Sequence, residues 1–406
     1  MKHLTLILFL LPFQILAQIK GQIFSAGDKK PVPFAAVFIN NSTIGTTSDE
    51  EGRFTLPQLS PGKHELIVSV LGFEKHLEVI NAPVNQAFKI YLTEKSQELD
   101  MVLVKAFDKD GWMTWGKLFT ECFIGTGTNA SQTKLLNSKD LRFRHNKKEK
   151  ILEVFAVAPL KIKNKALGYD LEYHLEVFRV DFNNNTQLYA GYPFFKEPSK
   201  LSKKQKERRQ ASYDASLTKF LKSLYHNKLQ EDGYLVRKLV EVPNREKQRV
   251  RALYDKYTIR GFDENGSSFI ISGPNLPQEI YTPDSLSYFQ KILAQPNGTK
   301  NLYKDTLSRS QILKRDTKGN KYIQFRDYLH IVNTKHLEDP LYLSFNRESR
   351  TVGPQTSMLK MTEDEPIEIQ ENGNYFPPLN LISIDYWGWS NKIADLLPLD
   401  YKSSTP

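Results

Sequence analysis

The chain has 406 residues, 40% of them hydrophobic and 25% charged, which excludes a disordered or fibrous protein and leaves room for roughly two or three domains. Its formal net charge is +10. The single cysteine excludes an intramolecular disulfide, so hydrophobic cores must carry the stability.

Residues 1–17 read as a secretory signal peptide. Lys2 supplies the positive start, Leu4 to Leu16 is apolar apart from Thr5, Pro12 and Gln14, and Ala17 offers a small residue for cleavage before Gln18. The apolar run is too short to span a bilayer comfortably, so no transmembrane helix is expected after signal cleavage. No Cys follows the run, so lipoprotein-type lipidation is not expected.

Residues 18–94 read as an all-β sandwich. Ile19, Gly21 and Ile23 fall at alternate positions, as do Ala35, Val37 and Ile39, then Leu66, Val68 and Val70, then Phe88, Ile90 and Leu92. Period-two runs broken by Pro31, Pro61-Gly62 and Pro83 indicate short strands joined by turns. Between Thr47 and Phe54, Asp49-Glu50-Glu51-Gly52 is turn chemistry: Asp accepts from the backbone two residues on, and Gly takes a positive φ. Three acids in a row also suggest calcium, but the further oxygen ligands that such a loop needs do not follow.

The stretches Ile19–Ile23, Pro33–Val37, Gly45–Phe54 and Val70–Phe73 resemble the carboxypeptidase-regulatory-like domain, common in envelope proteins of Bacteroidetes-type bacteria. The resemblance implies a prealbumin-like sandwich of about seven strands and is nearly silent on activity.

Residues 95–110 read as a linker around the apolar run Leu99–Val104. A similar segment follows this kind of sandwich in TonB-dependent receptors. Too few residues remain here for a large membrane barrel, so an added strand or docking linker is expected.

Residues 111–406 read as a larger α+β domain with mainly antiparallel sheet. Trp112, Trp115, Phe119, Cys122 and Phe123 recur at helical spacing, and Cys122 reads as a buried structural thiol. Ile124–Ala130 reads as a helix end and turn rather than a phosphate loop. Tyr169, Leu171, Tyr173, Leu175 and Val177 alternate with Asp170, Glu172, His174 and Glu176, which predicts a strand with one wet face and His174 in solvent. Lys200 to His226 reads as one long helix, basic in its first half and apolar from Tyr213 onward. Lys200, Lys204 and Arg208, four apart, form its expected solvent stripe, suited to an anionic surface. Strands are expected at Ser267–Ser272 and Lys321–Asn333, short helices at Ser285–Ala294 and Leu307–Lys314, a solvated acidic turn in Met361–Glu371, and a final short helix stopped near Pro398. Phe119–Gly125, Pro159–Tyr169 and Leu396–Tyr401 resemble the uncharacterised C-terminal part of Bacteroidetes proteins named only for their regulatory-like domain.

The family name invites a peptidase reading, which the residues do not support. None of the eight histidines has Glu three positions later, and His-Glu-x-x-His is missing. No Gly-x-Ser-x-Gly elbow or Walker loop occurs. Ser-x-x-Lys occurs at Ser60, Ser131, Ser216 and Ser357 without its partner motifs. No zinc and no other cofactor is expected, and no catalytic residue is assigned.

The sequence therefore predicts an exported, non-enzymatic envelope protein of the periplasm or outer membrane, with the cell surface as a further location. Its expected partner is an envelope protein, a glycan or an anionic surface, and the export signal argues against nucleic acid. The alternative is a glycan- or peptide-directed hydrolase with a carboxylate-based site in residues 112–401, since two carboxylates suffice for glycoside hydrolysis.

Overall fold

The computed structural model describes residues 18–84, 86–95, 107–262, 268–272 and 282–403. The signal-peptide expectation and the Leu99–Val104 run lie outside the described residues.

The chain opens with seven strands: β1 (Ile19–Ser25), β2 (Ala36–Ile39), β3 (Gly45–Thr47), β4 (Arg53–Leu56), β5 (Gly62–Ser69), β6 (His76–Ala82) and β7 (Phe88–Leu92). They form two sheets, ordered β4-β1-β7 and β3-β2-β5-β6. The alternating residues of the sequence fill the space between them: Ile19, Ile23, Val37, Leu66, Val68 and Ile90 belong to one buried cluster. Between β3 and β4 the expected turn forms. Asp49 accepts from the backbone N–H of Glu51 and Arg53, and Gly52 takes φ 71°. A side chain at Gly52 would meet the Ile23 carbonyl at 2.5 Å, so only glycine fits.

A second layer begins with α1 (Gly111–Phe123), whose Phe119 and Phe123 are buried on the next sheet. That sheet comprises β8 (Thr133–Leu135), β9 (Leu141–Asn146), β10 (Ile151–Ala156), β11 (Leu160–Asn164), β12 (Tyr169–Asp181) and β13 (Thr186–Lys196), all antiparallel. The long β12 pairs with β13 on one side and shares its other side between β10 and β11.

Two helices follow, α2 (Lys203–Asp214) and α3 (Leu217–His226). The single long helix expected over Lys200–His226 is therefore broken. Ser216 leaves helical geometry and accepts from Lys219 N to cap α3, since a short hydroxyl side chain competes well for an orphan N–H. Ser202 and Gln205 form a reciprocal capping box at the start of α2, so Lys200 lies outside the helix.

The remaining elements are β14 (Tyr234–Pro243), α4 (Arg245–Tyr257), β15 (Ile259–Phe262), β16 (Ser268–Ser272), α5 (Pro283–Ala294), β17 (Gly298–Thr306), α6 (Arg309–Ile312), β18 (Leu313–Arg315), β19 (Lys321–Ile323) and β20 (Tyr328–Leu337). After them come α7 (Pro340–Asn346), β21 (Pro354–Met361), β22 (Ile367–Ile369), β23 (Tyr375–Phe376), β24 (Leu381–Asp385) and α8 (Tyr386–Ser390). The strand expected over Lys321–Asn333 is thus two strands in different sheets. A five-stranded sheet runs β17-β14-β20-β21-β24, and a smaller one runs β18-β19-β22-β23. Phe220, Leu221 and Leu224 of α3 pack between them in the largest core, with Trp387 of α8. The last helix ends at Ser390, well short of Pro398. The residues after it run as turns because their backbone is bonded to α1 and to the sandwich instead.

The N-terminal sandwich is docked, not tethered. Phe38 and Ile67 point away from its core yet are 1% and 0% exposed. They lie side by side in the β2–β5 register, and Phe38 packs on Phe194 and His174 of β13 and β12, with ring centroids 5.2 and 5.1 Å apart. Gly45 permits this approach, because a Cβ there would meet the Phe194 ring at 2.5 Å. Asn41 N donates to Pro193 O at 2.8 Å, and Phe195 N donates to Ser42 O at 3.0 Å. Lys75 pairs with Glu176. Lys63 pairs with Glu368, an acid of the expected solvated run that is instead 8% exposed. His174 is consequently not a solvated strand residue. The face of β12 that alternation marks as wet is dry at this point because the sandwich covers it.

Candidate functional site

The basic run begins α2 at the place where sandwich, six-stranded sheet and C-terminal segment meet. Its cations have different fates. Lys200, Lys203, Lys204 and Lys206 are exposed. Arg208 is half-buried and donates to Gln132 Oε1 at 3.0 Å. Arg209 is 3% exposed. Its guanidinium lies 3.5 Å from the Tyr169 ring centre, with Nε donating to Leu167 O and another nitrogen to Gly168 O. A third nitrogen reaches Glu197 at 2.7 Å. Arg209 therefore fastens α2 to the turn before β12, a use of the planar fork that lysine lacks. The stripe of Lys200, Lys204 and Arg208 is not assembled as spacing predicts: Lys200 precedes the helix and Arg208 is engaged.

A cleft of about 350 Å³ opens beside this helix. Lys206 and Arg209 form one wall, Thr43 and Glu197 another, and Asp400, Tyr401 and Lys402 the third. Both acids are committed, Glu197 to Arg209 and Asp400 to the backbone and hydroxyl of Thr43. Lys206 and Lys402 have no partner among the described residues. With Lys206, Arg209 and Lys402 against Glu197 and Asp400, the cleft carries a net charge of +1. Nothing in the sequence brought Lys402 to this helix, since the two lie almost 200 positions apart. Ser202 followed by Gln205 was the available signal for where the helix begins.

The carboxylates of residues 112–401 were the other candidate. Asp395 is half-buried against α2 and the turn after α1, where desolvation pushes its carboxyl up to about 6. Asn129 Nδ2 and Ser212 Oγ donate to its Oδ1 at 2.7 and 3.0 Å. Asp339 lies close by, capping Leu341 N at the start of α7 and accepting from Thr128 N and Oγ1. The two acids bind adjacent residues of the turn after α1, so they pin that turn. Among the described residues no group of three or more His, Cys, Asp or Glu side chains is placed to hold a metal ion.

Cys122 packs against the second core with its thiol pushed up by burial. Nearby Lys392 is 7% exposed and pushed down to about 8, its ammonium 5.4 Å from the Tyr189 ring centre.

Among known proteins, residues 19–104 match the family described as CarboxypepD_reg-like domain. The match runs ten residues past the boundary expected at residue 94, into residues outside the described set. The solved structures similar to the chain include two at 10% sequence identity. One is a Bacteroides fragilis NCTC 9343 protein described as membrane-associated and of unknown function, 10% identical over 91% of this chain and 94% of that one, with a TM-score of 0.16. The other is a 9R-lipoxygenase from Cyanothece PCC8801, 10% identical over 54% of this chain and 47% of that one, with a TM-score of 0.16. No curated protein matches. No helix among the described residues is long and apolar enough to cross a membrane.

Proposed function

We propose that this protein is an exported envelope protein that binds an anionic partner surface through the solvent face of α2 and the cleft beside it, with no catalytic step. The observation that carries the reading is the division of labour within one basic run. Arg209 is consumed in holding the helix, while Lys200, Lys204 and Lys206 stay in solvent and Lys206 lines the same cleft as an unpaired Lys402. A helix that is merely solvated needs no such anchoring of its basic half. The sandwich acts as a rigid scaffold in this reading, since its second face is already occupied by Phe194 and His174. The signal-like pattern of residues 1–17 and the regulatory-like family match support an envelope location. The hydrolase alternative gains no support from Asp339 and Asp395, whose oxygens accept from the turn they pin.

The test is co-sedimentation with vesicles of phosphatidylglycerol and phosphatidylcholine at low salt. Each lysine near such a surface is worth on the order of 1 kcal/mol and is screened by salt. Changing Lys200, Lys204 and Lys206 together to Gln is expected to lower binding about tenfold or more without moving the thermal midpoint. Equal binding by wild type and variant overturns the reading. A large fall in midpoint would show that these lysines are structural.

A further inference from the structure

The five-stranded sheet buries one face in the largest core. Its other face carries a small cluster, Leu239, Tyr328 and Met358 with Ile384 beside them, made of sheet residues alone. Alternation puts Arg237 of β14 and His330 of β20 on this same face, directly opposite each other in the register. Lys360 lies opposite Tyr328 on β21. Lys360 and Lys300 rest over the Tyr328 ring, 5.2 and 5.8 Å from its centre, and the Tyr328 hydroxyl donates to Glu241 at 2.9 Å.

Two polar atoms in the middle of this face are buried without a partner: Nε of Arg237 and Nδ1 of His330. No hydrogen bond or ion pair engages the Arg237 side chain among the described residues. An unmet buried donor costs about 1–3 kcal/mol, so the pair is poised for something the chain does not itself supply. At the edge of the face, Asp385 holds φ 60° and ψ −128°, a backbone region that glycine favours. Its carboxyl is raised by burial against the pull of Lys300 and His330. Lys300 belongs to the opposite edge strand, and its side chain reaches across the face to the Tyr328 ring.

We propose that this face binds an acidic saccharide unit of the uronate type, its carboxylate on Arg237, its hydroxyls on His330 and Asp385, and its carbon face on the Tyr328–Met358 floor. The arginine fork matches a carboxylate, and it stands here with no competing acid bonded to it. Sugar hydroxyls donate to carboxylates such as those of Asp385 and Glu241. The two lysines covering Tyr328 are held by cation–π contacts worth roughly 0.5–1 kcal/mol each, so they swing aside at little cost. This reading uses none of the residues of α2, and its success or failure is independent of the binding proposed there.

The experiment is isothermal titration of the full chain with trigalacturonate, with maltotriose, inorganic phosphate and an aspartate-rich peptide as competing probes. Trigalacturonate is expected to bind saturably, and maltotriose about tenfold more weakly or worse. Arg237→Gln is expected to weaken trigalacturonate about tenfold or more, and His330→Gln several-fold, with thermal midpoints near that of wild type. Should Arg237→Gln fail to fold, His330→Gln alone decides. Undiminished binding by the variants that fold overturns the proposal. Phosphate or peptide binding as tight as trigalacturonate overturns it, as does the absence of heat at millimolar ligand. The α2 triple variant should bind trigalacturonate like wild type; a loss there would move the site to the helix and refute this one.

Discussion

His174 of β12 faces Phe38 of β2 across the boundary between the sandwich and the six-stranded sheet, with ring centroids 5.1 Å apart. The histidine is 5% exposed and its Nε2 is buried without a hydrogen-bond partner. Burial, reinforced by Lys75 and opposed by Glu172, holds its pKa down at about 4 against an ordinary 6.5.

Acid should therefore loosen this interface. The unfolded chain takes up the proton near pH 6.5 and the folded chain only near pH 4, so this stability is complete above pH 6.5 and lost between 6.5 and 4. The loss is on the order of 3 kcal/mol. His174→Phe keeps the ring and removes the proton site. Urea unfolding across that window should show a shallower acid decline for the variant; parallel curves would contradict the assignment.

Gly45 offers a steric probe of the same contact. A Cβ there meets the Phe194 ring at 2.5 Å and Phe38 Cβ at 3.0 Å. Gly45→Ala should cost about 1–3 kcal/mol through overpacking. Limited proteolysis should then cut between residues 95 and 110 faster than in wild type, reporting undocking rather than unfolding of the sandwich.

Asp395 carries the opposite pH sign. Its folded pKa of about 6 lies above the ordinary 3.8, so its contribution falls as pH rises from 3.8 to 6 and stays unfavourable above that. Asp395→Asn retains an acceptor for Asn129 and Ser212 and removes the charge. It should stabilise the protein at pH 7 by on the order of 1–2 kcal/mol, because the residue keeps some contact with water, and should give nothing at pH 3. Asp395→Ala should destabilise at both, since Asn129 Nδ2 loses its acceptor. Thermal melts of the two variants at the two pH values check this.

Arg209 and Lys204 separate the structural from the solvated members of the basic run. Arg209→Ala strands the Leu167 and Gly168 carbonyls and frees the half-exposed Glu197, and should cost on the order of 1–3 kcal/mol. Lys204→Gln should stay within about 0.5 kcal/mol of wild type. Guanidinium unfolding of both variants is the measurement.

What could be read from the sequence is what depends on neighbours along the chain. The sandwich strands announced themselves because Val37, Leu66 and Val68 fill a core made by residues close in sequence, and Asp49–Gly52 is turn chemistry whatever surrounds it. The errors share a different cause. His174 alternates with apolar residues like any solvent-facing strand residue, and only Phe38, far back in the chain, makes it dry. Arg209 is indistinguishable from Arg208 until Tyr169 comes beneath it. The Lys206–Lys402 cleft and the Arg237–His330 pair are products of tertiary register, which no local pattern encodes.

The segment after α8 joins the sandwich, α1 and α2. Ile393 and Ala394 donate to the carbonyls of Phe123 and Ile124 at the end of α1, Asp395 holds Asn129 and Ser212, Leu399 N donates to Asn41 O, and Asp400 holds Thr43. It is synthesised after all the parts it fastens. During synthesis the sandwich can close around its own core early, yet its neighbours must wait, half-assembled, for these few residues to emerge. A stalled or nicked chain would therefore be recognisable to quality-control proteases by unlatched joints, not by melted domains.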